Sequence, residues 1–277
     1  MDWLMRDEKR PKPNSYMMVM MWAKDGDLID YINKKAHSEN FTWYKRLEIL
    51  EELSNALQSI HMKEMIHRDL HCGNILMDDM NISQFPAISD LGLCGNYNKT
   101  GKLIGVLPFI APEHLKEPSR AFTTASDIYS FGIIMWVICC CKLPYEEYKD
   151  DQHLALSIIS EFRPEIPKDT PKAYAELMKR CWDDDPEKRP KSLELRKMFL
   201  RWQKQYYSNN NEFSIAEKER LRKIKNSDLS DVPKNQEIKR SKIIYDFSEG
   251  IEGIKTIYLA DFENQDNPDN NPSLIYI

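Results

Sequence analysis

The chain has 277 residues, of which 42% are apolar and 30% charged, and these proportions are typical of a folded globular protein. Its net charge of −5 argues against a protein that binds nucleic acid or an anionic membrane surface. The longest apolar run, 128–141, is shorter than the about 20 residues that a membrane-spanning helix needs.

The six cysteines contain no Cys-x-x-Cys pair, so they indicate neither a zinc site nor a redox motif. Three of them, Cys139–Cys141, are adjacent within the longest apolar run, where we expect them to act as small core residues. The first residues do not read as a secretory signal, and the expected compartment is therefore the reducing cytoplasm.

The N-terminal elements are a short strand and a helix. The apolar run Tyr16–Trp22 has strand length. Asp27 then predicts a helix N-cap, because Leu28, Tyr31 and Ile32 recur at helical spacing behind it.

The rest of the predicted body is helical. Thr42 is the expected cap of a long helix, the run 128–141 predicts a buried core helix, and Thr170-Pro171 predicts another helix start. The long helix has an apolar stripe formed by Leu47, Leu50, Leu57 and Ile60. A last helix is predicted from a second stripe, formed by Leu195, Met198, Phe199 and Trp202.

Candidate chemistry is concentrated in the segment from His67 to Leu76. It contains His67-Arg68-Asp69, then Asn74, and Asp90-Leu91-Gly92 follows. An Asp with an Asn five positions later is by itself typical of a solvated loop. Carboxylate and amide oxygens are, however, the ligands that magnesium prefers.

Further motifs follow in a fixed order. Ala111-Pro112-Glu113 comes first, then Ser126-Asp127 at the head of the apolar run, and then Cys181-Trp182 with Pro186 and Arg189. Together with the segment around Asp69 they resemble the catalytic domain of protein kinases, of the tyrosine-kinase or tyrosine-kinase-like type.

The resemblance covers about residues 1–204. It implies a mostly α fold, namely a helical kinase C-lobe (23–204) that follows a remnant of the N-lobe sheet with the hinge strand (1–22). The polar segment 205–277 is expected to be a largely disordered tail. Within it, the charged segment 215–226 predicts a solvated helix.

The implied reaction transfers the γ-phosphate of ATP to a Ser, Thr or Tyr hydroxyl of a protein, as part of signal transduction. Asp69 is then the catalytic base, Asn74 and Asp90 hold Mg²⁺, and Arg68 supports catalysis by pairing with a phosphorylated activation loop or by bonding within its own loop. Residues near the nucleotide are the gatekeeper Met20, the hinge backbones of Met21 and Ala23, Asp27 beside the ribose, and Leu76 beneath the adenine.

The resemblance also assigns structural roles. His67 is expected to be a buried residue that packs on Leu91, Asp127 to anchor the backbone of the catalytic loop, and Glu113 and Arg189 to form a buried ion pair. Tyr97 and Thr100 are the hydroxyls of the activation loop that phosphorylation could reach.

Two features depart from the family pattern. His71 and Val106 stand where serine/threonine kinases usually carry a Lys and a Thr. No Gly-rich phosphate loop and no Val-Ala-x-Lys precede the hinge. We therefore expect this chain alone to bind ATP weakly, and either to be poorly soluble or to need a partner that covers exposed C-lobe surface. A catalytically inactive, pseudokinase-like binding module and an incomplete gene model are the alternatives.

Overall fold

The computed structural model describes residues 23–36, 38–78, 86–94, 102–148, 150–208, 211–225 and 242–246; for Lys102 and 242–246 it describes the backbone. The predicted strand Tyr16–Trp22, with Met20 and Met21, lies outside the described residues, as do Tyr97 and Thr100.

The described part of the chain is mostly α-helical, as predicted. The helices are α1 (Leu28–Lys35), α2 (Trp43–His61), α3 (Pro112–Lys116), α4 (Thr124–Cys140), α5 (Asp151–Ile159), α6 (Lys172–Cys181), α7 (Ser192–Tyr206) and α8 (Glu212–Lys225). The predicted caps Asp27 and Thr42 are confirmed, since their side chains accept from the backbone N–H groups of Asp30 and Lys45.

The core is built around α4, as its apolar sequence predicted. Residues 126–138 of this helix are all buried, so it is surrounded by the other elements. The apolar stripes of α2 and α7 face the same core, with Leu47, Leu50 and Phe199 fully buried. This packing fixes α4, and with it Asp127, under the segment that carries Asp69.

Four short strands form two antiparallel pairs within the described residues. Strand β1 (Ile75–Leu76) pairs with β2 (Ala87–Ile88), which connects the segment after Asn74 to the segment before Asp90. Strand β3 (Lys102–Gly105) pairs with β4 (Lys242–Asp246), a strand from the segment predicted to be largely disordered.

Helix α8 corrects the prediction of a solvated helix at 215–226. The helix forms, but Phe213, Ala216, Glu217 and Arg220 are buried against the body of the chain. The charged composition was misleading because Glu217 and Arg220 pair with each other and with backbone groups of a distant segment. The proposed domain boundary at 204 stays a prediction.

Every described helix is either too short or too polar to cross a lipid bilayer.

Candidate active site

The backbone of the segment before Asp69 is held by Asp127, at the start of α4. The Asp127 carboxylate accepts from the N–H of His67 at 2.8 Å and from the N–H of Arg68 at 2.9 Å. Arg68 has a φ of 73°, a left-handed conformation that a non-glycine residue keeps only when its surroundings hold it there. The predicted anchoring role of Asp127 is confirmed.

A third partner of Asp127 escaped the sequence reasoning. The Nε2 of His61, the last residue of α2, lies 2.9 Å from Asp127 Oδ2, and its Nδ1 lies 3.2 Å from the hydroxyl of Ser192. His61 thereby connects three helices at the anchor. No motif marks this residue in the sequence, because its role depends on how α2, α4 and α7 pack.

Asp69 and Asn74 lie together in one buried hydrogen-bonded turn. The Nδ2 of Asn74 donates to the Asp69 carbonyl at 2.8 Å and to the Asp69 carboxylate at 3.3 Å. Since both donor hydrogens face Asp69, the amide oxygen of Asn74 is the atom left for a ligand.

His71 starts the same turn and faces Asp69 from the other side. Its Nδ1 accepts from the N–H of Gly73 at 3.1 Å, so a neutral ring carries its hydrogen on Nε2. That Nε2 lies 3.7 Å from Asp69 Oδ1. The Asp69 carboxylate therefore accepts from the Asn74 amide and has the His71 imidazole as a near neighbour.

Asp90 reaches this turn through the β1–β2 pair. Just beyond the pair, the N–H of Ser89 donates to the Asn74 carbonyl at 2.8 Å. Asp90 follows with a φ of 55°, and its exposed carboxylate accepts from the N–H of Gly92 at 3.3 Å. Because β1 and β2 are antiparallel, Asn74, which precedes β1, and Asp90, which follows β2, lie at the same end of the pair.

These two side chains suit magnesium. The described residues contain no group of three or more His, Cys, Asp or Glu that could hold a metal ion by themselves. Magnesium does not need such a group, because it usually takes one or two carboxylates and fills its octahedron with waters and phosphate oxygens. The oxygens of Asn74 and Asp90 fit this requirement.

The predicted hinge lies directly beside the predicted adenine floor. The N–H of Asp25 donates to the Met77 carbonyl at 3.2 Å, and the N–H of Met77 donates to the Gly26 carbonyl at 2.9 Å. Asp27 also forms an isolated bridge with Leu76. Burial raises the pKa of Asp27, and its hydrogen bond from the Asp30 N–H partly opposes the rise.

The hinge turn requires a glycine at position 26. Gly26 has a φ of 79°, and a Cβ at this position would collide with the carboxylate of Asp30. Of the nucleotide contacts predicted here, Ala23 is half-buried at the start of the described residues, and Met21 lies outside them. The assignments of Ala23, Asp27 and Leu76 to the nucleotide stay predictions.

His67 is structural, as predicted. Its ring is fully buried, with Nε2 2.9 Å from the Ser89 carbonyl and Nδ1 accepting from the N–H of Asp69 at 3.3 Å. Leu91, its predicted packing partner, is 50% exposed. Arg68 lies with its guanidinium 5.9 Å from the ring centre of Phe122, and burial lowers its pKa.

The predicted ion pair between Glu113 and Arg189 is confirmed. Two parallel hydrogen bonds of 2.8 and 2.7 Å join the guanidinium to the carboxylate, and both side chains are buried. Arg189 also donates to the carbonyls of Ala125 and Asp183. Burial alone would raise the pKa of Glu113, but the hydrogen bonds and charge of Arg189 outweigh it and lower the pKa.

Comparison with known proteins agrees with this geometry. Residues 8–199 match the family described as protein tyrosine and serine/threonine kinase. Over 190 residues the chain is 31% identical to the receptor-interacting serine/threonine-protein kinase 4 of Mus musculus, covering 64% of this chain and 24% of that protein.

A plant relative gives a similar result. The chain is 31% identical over 184 residues to the serine/threonine/tyrosine-protein kinase HT1 of Arabidopsis thaliana, covering 65% of this chain and 45% of that protein. The chain therefore spans less than half the length of these relatives. The family match covers most of the chain and includes every motif described above, and the chain belongs to the protein tyrosine and serine/threonine kinase family.

Proposed function

We propose that this chain supplies the catalytic base and the magnesium ligands for transfer of the γ-phosphate of ATP to a protein hydroxyl. The observation that carries this proposal is the buried turn in which Asn74 holds the carboxylate of Asp69. Phosphoryl transfer depends on positioning more than on covalent chemistry, so a fixed carboxylate beside two oxygen ligands is what the reaction requires.

In the proposed mechanism, Asp69 orients the substrate hydroxyl and accepts its proton while the hydroxyl oxygen bonds to the γ-phosphorus and the bond to ADP breaks. Mg²⁺, when bound, offsets the negative charge of the phosphates. Asn74 and Asp90 would hold it through their side-chain oxygens. His71 Nε2, 3.7 Å from Asp69 Oδ1, helps to orient the base.

The adenosine part of ATP is assigned to the hinge. We infer that the backbones of Met21 and Ala23 meet the adenine edge, that Leu76 lies beneath the ring and that Asp27 lies near the ribose. The pairing of residues 25–27 with residues 76–77 supports this assignment, because it brings edge and floor together.

Magnesium-dependent nucleotide binding tests the proposal. A fluorescent ATP analogue should bind to the wild-type chain more tightly with Mg²⁺ than with EDTA. Asp90→Asn should remove this difference, because a neutral amide is a poorer magnesium ligand. Glu187→Gln, at an exposed acid elsewhere, should retain it. Equal Mg²⁺ dependence in the wild type and Asp90→Asn would contradict the metal assignment.

The acceptor is a second proposed detail. The relatives above are named as serine/threonine and serine/threonine/tyrosine kinases, which supports a Ser or Thr hydroxyl as acceptor. Two residues after Asp69, the buried His71 stands where serine/threonine kinases usually carry a Lys. A peptide array phosphorylated by the full protein, with its Asp69→Asn variant as the blank, would assign the acceptor.

The alternative is a non-catalytic binding module of the same fold. The pairing of β4 with β3 favours this alternative, because β3 belongs to the activation segment and its edge is occupied by the chain itself. In that case Asp69→Asn would leave the biological activity of the full protein unchanged, whereas a kinase would lose it.

We further propose that another surface covers Leu91. This side chain follows Asp90 directly and is 50% exposed, although its residue type favours burial. The cover would be an N-lobe or a partner protein. The proposed compartment is the cytoplasm, which the six free cysteines suit.

A further inference from the structure

The C-terminal strand β4 pairs with the activation segment in a defined register. It runs antiparallel to β3, and the paired positions are Lys102 with Asp246, Leu103 with Tyr245, Ile104 with Ile243 and Gly105 with Lys242. An irregularity between Leu103 and Ile104 leaves Ile244 without an opposite residue.

Strand β3 ends beside the proposed catalytic base. A Cβ built on Gly105 would lie 3.6 Å from Asp69 Oδ1, so the last residue of β3 is next to this carboxylate. Lys242, the first residue of β4, is the partner of Gly105. Paired residues of antiparallel strands are about 4.5–5.5 Å apart, and β4 therefore begins one strand's width from the backbone that contacts Asp69.

The turn that follows β3 is attached to the body of the protein by a contact that does not involve β4. Leu103 is fully buried, and the turn 107–109 that follows is fixed by the hydroxyl of Ser130, which donates to the Phe109 carbonyl at 2.7 Å. Strand β4 comes from a different part of the chain. Helix α8, whose Glu217 and Arg220 are anchored on the body, ends at Lys225, and residues 226–241 connect it to β4.

The number of residues between α8 and β4 sets how far apart the two can lie. An extended chain spans about 3.3–3.6 Å per residue, so a separation by residues 226–241 is long enough for β4 to leave β3 while α8 stays in place. Tethering keeps the strand at a high effective concentration near its site, so that it competes against other extended segments.

We propose that residues 242–246 form an intramolecular blocking strand, which occupies the edge of β3 beside Asp69 and has to leave before an extended segment of a substrate protein can pair there. Main-chain pairing with an open strand edge is a general way to bind an extended peptide. The nature of the displaced ligand rests on the proposed function, whereas the occupancy of the edge does not.

Hydrogen–deuterium exchange on the full chain tests the occupancy. The blocking strand is disrupted with Ile243→Pro together with Tyr245→Pro, since proline removes backbone donors from a strand. The matched control, Ile243→Val with Tyr245→Phe, retains strand-forming residues at the same positions. Amides of residues 102–105 should exchange about tenfold or more faster in the proline variant only, as expected for the loss of about 1.4 kcal/mol of protection.

The amides of α4 serve as the internal reference and should be unchanged. A fluorescein-labelled peptide with the sequence 241–247 is the probe for the vacated edge, and it should bind the proline variant at least about tenfold more tightly than the wild type or the control. Unchanged exchange at 102–105, equal peptide binding by all three proteins, or loss of protection in α4 would each overturn the proposal. The first two results mean that the edge is not occupied, and the third means that β4 is a fixed part of the core.

These readouts do not involve ATP. If the proline variant releases β4 as described but the chain shows no Mg²⁺-dependent nucleotide binding, the blocking strand is supported and the proposed function is contradicted.

Discussion

The buried guanidinium of Arg189 donates to Glu113 and to backbone carbonyls. Replacement by Ala removes both hydrogen bonds to Glu113, of 2.8 and 2.7 Å, and leaves this carboxylate buried without its counter-charge. We expect Arg189→Ala to lower the free energy of unfolding by about 3–5 kcal/mol. Urea denaturation at pH 7 measures this loss.

Arg180→Ala is the control for Arg189. Its partner Glu194 lies 2.8 Å away, but both side chains are nearly half exposed, and exposed ion pairs contribute at most about 1 kcal/mol. Equal losses in the two variants would contradict the importance that burial gives to the Glu113–Arg189 pair.

His114 makes the stability of the fold depend on pH. Its ring is fully buried, stacks on Phe122 and lies 2.7 Å from the hydroxyl of Ser126. Burial is the largest cause that lowers its pKa from 6.5 to about 4. Between these values the unfolded chain takes up a proton that the folded chain does not, so the free energy of unfolding falls as the pH falls, by up to about 3 kcal/mol.

Urea midpoints measured from pH 7 to pH 4 check this dependence. His114→Asn should flatten the curve above pH 4.5, whereas His153→Asn should not, because His153 is exposed. The lowered pKa of Glu113 acts in a different window. It contributes stability above its ordinary value of 4.5 and loses it as the pH falls below that value, so it does not obscure the effect of His114.

At the scale of elements, α8 stabilises the start of α2. The Glu217 carboxylate accepts from the N–H of Trp43, the first residue of α2, at 2.9 Å, and Arg220 donates to the carbonyls of Ser38 and Glu39. The first N–H groups of a helix have no partner within the helix, so a carboxylate there both caps it and suits its dipole.

Glu217→Ala should therefore cost at least about 1–3 kcal/mol of unfolding free energy, since it leaves buried donors of Trp43 and Arg220 unsatisfied. Glu219→Ala is the matched control two residues away, where the carboxylate pairs with the exposed Arg222. Thermal unfolding of the two variants makes the comparison. If both variants melt together with the wild type, α8 is not a structural part of the domain.

Sequence patterns predicted best the features that are determined by neighbouring residues in the chain. Caps at Asp27 and Thr42 and the buried α4 follow from neighbouring residues, and they are confirmed. The pair of Glu113 and Arg189 and the anchor Asp127 were predictable only through resemblance, because these contacts join residues 59 to 76 positions apart. His61 and the buried face of α8 were missed, since polar residues read as solvated until distant partners are known.

At the scale of the whole molecule, the described residues would form one side of the proposed nucleotide site. In that proposal the hinge and Leu76 give the adenine an edge and a floor, and Asn74 and Asp90 give oxygen ligands. The 277 residues contain no Gly-rich loop or Val-Ala-x-Lys to contact the phosphates from above. A bound ligand is normally buried over about 70–90% of its surface, which these residues alone do not achieve.

The polypeptide of residues 1–277, purified by itself, should therefore transfer phosphate at a negligible rate. Loss of a single preorganised donor raises a reaction barrier by about 2.7–4 kcal/mol, and the Lys and the loop supply several. A radiolabelled-phosphate assay with Asp69→Asn as the blank measures this. Turnover near about 1 per second, absent in the blank, would refute the expectation, since it is the rate of a working kinase.

The bond between Glu217 and Trp43 also has a consequence for the order of folding. The two residues are 174 positions apart, so at about 5–20 residues per second α2 emerges from the ribosome roughly 10–35 s before the carboxylate that caps it. During that interval the first turn of α2 and the carbonyls of Ser38 and Glu39 lack their partners from α8. The start of α2 is consequently completed only after α8 has been synthesised, although α2 is among the first helices to emerge.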